Sequence, residues 1–280
     1  MNETRNRLFL GAGMVAAVLA VLVVDPWLAP WYPCLFVSLV TLAMLCGAEL
    51  HTLAQLAVPR PPRWAMTLAP GVVVAANWPP HLLAQSEVWR WTVSAFVAVM
   101  LVAFLIEMAC YRGEGGALAR LSLLLFVLAY IGLPASFLAQ LRWWPEDTVR
   151  GSVAVALAIF VPKCGDMAAY GVGRWLGRSP MTPLLSPKKT WEGLLGGLAT
   201  SIVVACVVHL GFPLFRDWGV AALFGLVVGV AGVMGDLAES LIKRDMRQKD
   251  ASAAVPGFGG LLDVVDSVLF AAPVAYWWLK

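Results

Sequence analysis

Long apolar stretches alternate with short polar segments along almost the whole chain. Nine stretches reach the length of about 20 residues that a helix needs to cross a bilayer. They cover residues 8–24, 32–57, 64–83, 91–110, 117–139, 151–172, 192–210, 219–242 and 261–279. The third is the weakest, because Asn77 and three prolines interrupt it, and we expect it to be broken or re-entrant. The pattern predicts an all-α polytopic membrane protein with about nine transmembrane helices in one bundle.

Composition supports this interpretation. Apolar residues make up 60% of the chain and charged residues only 13%, and the mean hydropathy is +0.79. Only helices or closed barrels satisfy their backbone in lipid, and the alternation of period two that a barrel needs is absent. The connections are too short for a soluble domain, so we expect membrane lipid around the chain and no nucleic acid partner.

The placement of Lys and Arg predicts the orientation. With nine spans and a cytosolic N-terminus, 14 of these residues fall on the cytosolic side and 5 outside. The cytosolic set is Arg5, Arg7, Arg60, Arg63, Arg112, Arg120, Arg174, Arg178, Lys188, Lys189, Lys243, Arg244, Arg247 and Lys249. This bias places the densest polar loops in the cytosol. The compact, loop-poor chain is expected in a bacterial cytoplasmic (inner) membrane, and an organelle membrane stays open.

Two regions differ in character. Residues 1–150 are expected to form N-terminal transmembrane helices that serve as a lipid-facing scaffold. Within them, Glu49 and Glu107 lie near cytosolic span ends and are interpreted as interfacial residues with solvated carboxylates. Residues 151–280 carry the dense polar segments and are expected to hold the functional site within the same integral membrane domain.

The densest polar run extends from Gly235 to Ser267, and parts of it lie in stretches apolar enough to enter the bilayer. Ionisable groups at that depth usually mark a site. In this run Asp236, Ser240 and Lys243 share one helical face, Glu239 flanks it, and Arg244 lies on another face. Carboxylates bind divalent cations, and Lys and Arg bind phosphates, so the mixture indicates Mg²⁺ and a phosphate substrate.

The last predicted helix opens with Asp263 and Asp266, spaced to share a face. They either cap that helix, where negative charge is favourable, or bind one or two cations. A loop containing Lys249, Asp250, Gly259 and Gly260 precedes them, and its glycines allow close approach of the backbone to a ligand.

An upstream segment adds further candidates. Lys163 and Asp166 lie three residues apart on one helical face, as a structural ion pair or as a phosphate and metal site. Ser186 and the Pro after it predict a helix start. Lys188 and Lys189 at that start would bind an anion or merely signal topology, and Glu192 follows in the first turn.

At these residues the chain resembles the phosphatidate cytidylyltransferases, also called CDP-diacylglycerol synthases. The family signature, Ser-x-x-Lys-Arg, Lys-Asp, Gly-Gly and a final pair of Asp, is matched here by Ser240, Lys243, Arg244, Lys249, Asp250, Gly259, Gly260, Asp263 and Asp266. Asp166 and the segment Ser186–Gly193 resemble the family upstream. Two positions depart, because Phe258 stands in place of the family His and Val264 in place of an Arg.

The resemblance implies that CTP and phosphatidate give CDP-diacylglycerol and pyrophosphate, by either a single chain or a homodimer. It places Mg²⁺, with or without a second cation, on Asp236, Asp263 and Asp266, with Lys243 and Arg244 also catalytic. The substrate-binding set is Lys163, Asp166, Ser186, Lys188, Lys189, Glu192, Ser240, Lys249, Asp250, Gly259 and Gly260. The attacking phosphate is already largely a dianion at neutral pH, so Phe258 in place of His is compatible with the reaction.

Three other classes stay open. A CTP-dependent lipid-alcohol kinase would use similar cations but release CDP instead of pyrophosphate. A CDP-alcohol phosphotransferase would need its last acids four residues apart, whereas here they are three apart. An ion-coupled carrier would use the intramembrane acids for coupling, but no internal repeat of inverted halves is visible.

Overall fold

The chain was analysed as a computed structural model that describes residues 2–54, 59–83, 87–113, 115–144, 147–248, 252 and 259–280. The described helices are α1 (Asn2–Val24), α2 (Pro33–Leu53), α3 (Arg63–Ala75), α4 (Pro79–Leu82), α5 (Val88–Ala109), α6 (Ala117–Val127), α7 (Leu133–Gln140), α8 (Thr148–Leu176), α9 (Trp191–Gly211), α10 (Trp218–Asp245) and α11 (Leu261–Leu279). A 3₁₀ turn follows α1, a π-helical turn joins α6 to α7, and one hairpin pairs β1 (Pro180–Thr182) with β2 (Ser186–Thr190).

The all-α membrane fold predicted from the sequence is confirmed. Among the described residues, eight helical segments are long and apolar enough to cross a membrane. They coincide with eight of the nine predicted spans to within a few residues at each end. The third predicted span is divided between α3 and α4, which have 13 and 4 residues.

The break in the third span is stabilised by buried side chains around Asn77, which is fully buried. Its Nδ2 donates to the carbonyl of Val74 at 2.8 Å and to Oγ of Ser136 at 2.9 Å. Its Oδ1 accepts from Oγ1 of Thr92 at 3.0 Å and from Nε2 of Gln140 at 2.7 Å. Polar groups that are freed where a helix breaks must find partners inside the protein, and Asn77 supplies them.

Two compact units divide the chain. The first contains residues 1–140 and 248–262, and the second contains residues 141–247 and 263–280. In the first unit α2 packs tightly on α3 at Gly47, because a Cβ at that position would overlap the carbonyl oxygen of Met66. The backbones therefore approach as closely as glycine permits.

In the second unit α9 packs against both α8 and α10, which also contact each other. Small residues allow this packing. A Cβ at Gly165 of α8 would lie 2.5 Å from Oγ of Ser201 on α9. A Cβ at Gly225 of α10 would lie 2.6 Å from the carbonyl oxygen of Ser201. The Ser201 hydroxyl donates to the carbonyl of Val161 at 3.1 Å. Such close helix contacts are typical of membrane bundles, where packing and hydrogen bonds replace the hydrophobic effect.

The ends of these elements follow local rules, with one correction. The side chains of Asp147, Thr190 and Asp217 accept a backbone N–H at the starts of α8, α9 and α10. This is the usual chemistry of an N-cap. The prediction that Ser186 starts a helix was wrong: Ser186 belongs to β2, which pairs antiparallel with β1, and Thr190 caps the helix instead.

Candidate functional site

In the second unit, α8 and α11 join three charged side chains. Nζ of Lys163 lies 3.0 Å from Oδ1 of Asp266 and 3.5 Å from Oδ2 of Asp166. The predicted pairing of Lys163 with Asp166 is therefore present, and Asp266 adds a second acid from 103 residues further along the chain. The side chain of Asp266 is only 6% exposed, so its charge depends on this ammonium group.

Three carboxylates of the second unit converge. Asp236 and Glu239 of α10 and Asp266 of α11 each offer an oxygen, and these oxygens lie within 4.8 Å of one another. Glu239 is fully buried, and among the residues that the structure describes its Oε1 has no hydrogen-bond partner. From the sequence, Glu239 is expected to flank the site and is not among its candidate ligands. Glu239 lies three residues after Asp236, just as Asp266 lies three residues after Asp263. This spacing was the sequence signal that could have added Glu239 to the candidate ligands.

Lys243 joins this cluster to Asp263. Its Nζ lies 2.6 Å from Oε2 of Glu239 and 2.5 Å from Oδ1 of Asp263. The Lys243 and Asp263 side chains are 12% and 11% exposed. Lys243 thus bridges Glu239 and Asp263, and an oxygen of Glu239 lies within 4.8 Å of oxygens of Asp236 and Asp266.

The hairpin contributes a third lysine. Nζ of Lys189, on β2, lies 2.7 Å from Oδ2 of Asp236. Its neighbour Lys188 is exposed, as expected for successive side chains on a strand. Of the two lysines predicted to bind an anion, the structure brings Lys189 to the carboxylates and leaves Lys188 in solvent.

Two more predicted site residues brace this hairpin. The Nε–H of Arg244 donates to the carbonyl of Leu185 at 3.2 Å. Oε2 of Glu192 accepts from the backbone N–H of Arg178 at 3.1 Å and of Ser179 at 3.3 Å. Ser240 lies buried on α10, and Ser186 is half-buried on β2. In this structure Arg244 and Glu192 therefore hold backbone that carries the lysines.

The described cluster is acidic overall. It contains five carboxylates and three ammonium groups, so its formal charge is −2. Hard carboxylate oxygens are the ligands that Mg²⁺ prefers. The three converging carboxylates and the unpartnered oxygen of Glu239 fit a divalent cation, which would also neutralise the excess charge.

The remaining candidates lie elsewhere. Gly259 and Gly260 belong to the first unit, and Gly259 has φ of +99°, which favours glycine. Lys249, Asp250 and the variant position Phe258 lie outside the described residues. In the same unit the interpretation of Glu49 as an interfacial residue was wrong: it is 9% exposed and accepts three hydrogen bonds.

Comparison with known proteins agrees with these features. The profile described as the cytidylyltransferase family matches residues 5–280. A phosphatidate cytidylyltransferase of Synechocystis is 39% identical over 137 residues, which cover 48% of this chain and 46% of that protein. The Mycobacterium bovis protein of the same name is 36% identical over 163 residues, covering 58% and 51%.

A chloroplastic relative from Arabidopsis thaliana, phosphatidate cytidylyltransferase 4, is 34% identical over 207 residues, covering 66% of this chain and 52% of that protein. The chain thus spans about half the length of the relatives it matches. The family resemblance seen in the sequence is confirmed by the match over nearly the whole chain.

Proposed function

The chain belongs to the cytidylyltransferase family, and on that basis we propose that it transfers the cytidylyl group of CTP to phosphatidate. The products are CDP-diacylglycerol and pyrophosphate. The names of the matched relatives support this substrate pair. The chain is an integral membrane protein by its apolar helices, which suits a reaction with one lipid substrate.

The observation that carries the proposal is the cluster of five carboxylates and three lysines in the second unit. Both reactants are anions, so their approach is opposed by charge. Catalysis of such a reaction consists mainly of charge neutralisation and alignment. A cluster that combines cation ligands with ammonium groups provides both.

We assign the cation to Asp236, Glu239 and Asp266, with Asp263 close by through Lys243. When bound there, Mg²⁺ supplies a positive charge that polarises phosphate oxygens. Asp263 would join these three as a ligand, the role predicted for it from the sequence, when the flexible Lys243 side chain leaves it to bind a phosphate.

The lysines hold the phosphates. Lys163, Lys189 and Lys243 lie on three different elements, so their ammonium groups reach the cluster from α8, β2 and α10. They orient the triphosphate and the lipid phosphate so that a phosphatidate oxygen attacks the α-phosphorus of CTP in line. The bond from that phosphorus to the bridging oxygen breaks, and pyrophosphate leaves with the electron pair.

Product analysis tests the proposal. Purified protein in detergent is incubated with Mg²⁺, phosphatidate and CTP labelled in the cytidine. We expect label in the lipid and an equal amount of pyrophosphate. No labelled lipid, together with release of CDP and a phosphorylated lipid when a lipid alcohol replaces phosphatidate, would instead establish the kinase alternative. Absence of both products and of CTP binding would contradict the proposal and favour the ion-coupled carrier.

A variant tests the site. Asp263→Asn removes the charge that pairs with Lys243, and we expect it to abolish turnover while the protein stays folded. Asp147→Asn is the matched control, because Asp147 caps α8 and pairs with Arg150 at the start of that helix, and Asn caps helices equally well. Substantial turnover by Asp263→Asn would remove Asp263 from the reaction.

A further inference from the structure

The residue immediately before α11 cannot cap this helix with a side chain. Gly260 stands immediately before Leu261, where α11 begins, and glycine has no side chain to accept a backbone N–H. The helices α8, α9 and α10 are each capped by the residue at that place, Asp147, Thr190 or Asp217. The first N–H groups of a helix have no partner within the helix, and they need one when buried.

Glu49 of α2 supplies the missing acceptors. Its Oε1 accepts from the N–H of Leu261 at 2.8 Å and from the hydroxyl of Ser252 at 2.6 Å, and its Oε2 accepts from the N–H of Leu262 at 2.8 Å. A carboxylate at this end also interacts favourably with the helix dipole. A side chain from a distant part of the chain therefore does the work of an N-cap.

Glu49 is held rigidly for this role. It is 9% exposed, and its neighbour Leu50 is fully buried. Two residues earlier, Gly47 lies at the tightest contact of α2 with α3. The cap thus originates from a packed helix rather than from a flexible loop.

We propose that Glu49 is a positioning residue for the cytidylyl transfer, a role that rests on the proposed function. By capping Leu261 and Leu262 it keeps the first turn of α11 wound. Asp263 is the next residue of that turn, and Asp266 follows in the second turn. Glu49 touches no reacting group; it sets the backbone from which these carboxylates project.

Loss of the cap has a definite consequence. One buried and one part-buried N–H group lose their acceptors, and a helix end in that condition frays to find others. Fraying of the first turn displaces Asp263 from its 2.5 Å contact with Lys243. Displacement of a catalytic group by about 1 Å costs roughly 100-fold in rate.

The test compares Glu49→Ala with Asp25→Ala. Asp25 is a matched control in the same unit: it is 1% exposed and accepts the N–H of Cys34 at 3.0 Å and of Leu35 at 2.8 Å at the start of α2. Both variants lose one carboxylate that caps a buried helix. We expect similar losses of thermal stability, but a kcat lowered roughly 10- to 100-fold only in Glu49→Ala.

Hydrogen exchange supplies a readout that a general loss of stability does not move. In Glu49→Ala the amides of Leu261–Asp266 are expected to exchange faster, with the KM for CTP changed less than kcat. In Asp25→Ala those amides keep their protection. Glu49→Gln, which retains one acceptor oxygen, should lie between the wild type and Glu49→Ala, and it replaces the Ala variant if that variant does not fold.

Equal kcat in Glu49→Ala and Asp25→Ala, or unchanged exchange of Leu261–Asp266 in Glu49→Ala, would overturn the proposal. Failure of the proposed function is distinguishable, since it shows as no labelled lipid with the wild type. In that event the affinity for Mn²⁺, measured by electron paramagnetic resonance, is compared in place of kcat. Weaker Mn²⁺ binding by Glu49→Ala than by Asp25→Ala then supports the positioning role, and equal binding overturns it.

Discussion

At the scale of single residues, Glu239 is the acid that the sequence analysis undervalued. It is fully buried, one oxygen pairs with Lys243, and the other has no partner among the described residues. A buried carboxylate oxygen without a partner is costly unless a cation or a proton binds it. Because Asp236 and Asp266 converge on Glu239, we assign it as a cation ligand rather than as part of a structural ion pair.

Glu239→Gln tests this assignment. The substitution keeps the side-chain volume and leaves Lys243 paired with Asp263, but it removes a charge from the cluster. We expect the Mg²⁺ concentration for half-maximal activity to rise about tenfold or more. A titration of activity against Mg²⁺ measures it. Glu107→Gln, which removes an acid paired with Arg120 in the first unit, should leave the Mg²⁺ requirement as it is; equal shifts in both variants would count against the ligand role.

Residue-scale prediction from sequence succeeded where spacing along one helix carried the information. Lys163 with Asp166, and Asp236 with Lys243, lie on shared faces, and the structure places all four in the charged cluster. It failed for Glu49, because its hydrogen bonds join positions more than 200 residues apart. No local pattern announces a partner at that distance.

At the scale of elements, the packing of α8 on α9 depends on glycine. A Cβ at Gly165 would lie 2.5 Å from Oγ of Ser201, whose hydroxyl is already bonded to Val161. A methyl group there must push the helices apart or break that hydrogen bond. At Gly171, further along α8, a Cβ would have nothing within 4 Å.

Gly165→Ala and Gly171→Ala therefore form a matched pair on one helix. We expect Gly165→Ala to lower the free energy of unfolding by about 1 to 3 kcal/mol through overpacking. Gly171→Ala should be neutral or stabilising by about 0.5 to 1 kcal/mol, since alanine favours a helix more than glycine does. Thermal unfolding in detergent gives the comparison. The same melting temperature for both variants would contradict the close contact.

The β1–β2 hairpin shows the limit of local propensity. Ser before Pro favours a helix start, yet Ser186 pairs with Thr182 in the sheet. Arg244 of α10 donates to the carbonyl of Leu185 in the hairpin, and Lys189 of the hairpin pairs with Asp236 of α10. These tertiary contacts override the local preference, and the helix starts five residues later at Trp191.

At the scale of the whole molecule, the division of the third span between α3 and α4 bears on topology. If this segment crosses the membrane, Lys and Arg divide 14 to 5 in favour of the cytosol. If it returns to the same side, Arg5, Arg7, Arg60 and Arg63 move outside and the ratio becomes 10 to 9. The positive-inside rule therefore favours a broken segment that still crosses.

Labelling from one side of the membrane tests this topology. In a chain whose five cysteines are replaced by alanine, Lys188→Cys and Arg216→Cys flank α9 and report opposite sides. Inside-out vesicles are treated with an impermeant maleimide, which labels the cysteines, and with an antibody against an epitope at the N-terminus. We expect both the epitope and residue 188 to be accessible, because both lie on the cytosolic side in this topology. An epitope accessible only with residue 216 would mean that the α3–α4 segment does not cross.

For the whole molecule too, local sequence patterns predicted the helices but not the contacts between residues far apart in the chain. Long apolar stretches fixed eight spans to within a few residues, because hydrophobic length is a local property. The break at Asn77 was expected from its prolines, but its buried partners Ser136 and Gln140, some sixty residues away, were not. Local sequence signals predict where the helices lie, and only the folded structure shows which hydrogen bonds join them.

The contact of Lys163 with Asp266 has a consequence for how these two positions evolve. Loss of Lys163 leaves the Asp266 carboxylate buried without its ammonium group, and loss of Asp266 leaves Lys163 only its longer contact with Asp166. A change at one position is thus tolerated only in a lineage that has changed, or soon changes, the other. Across related genes these two positions should be inherited as a pair, although 103 residues separate them.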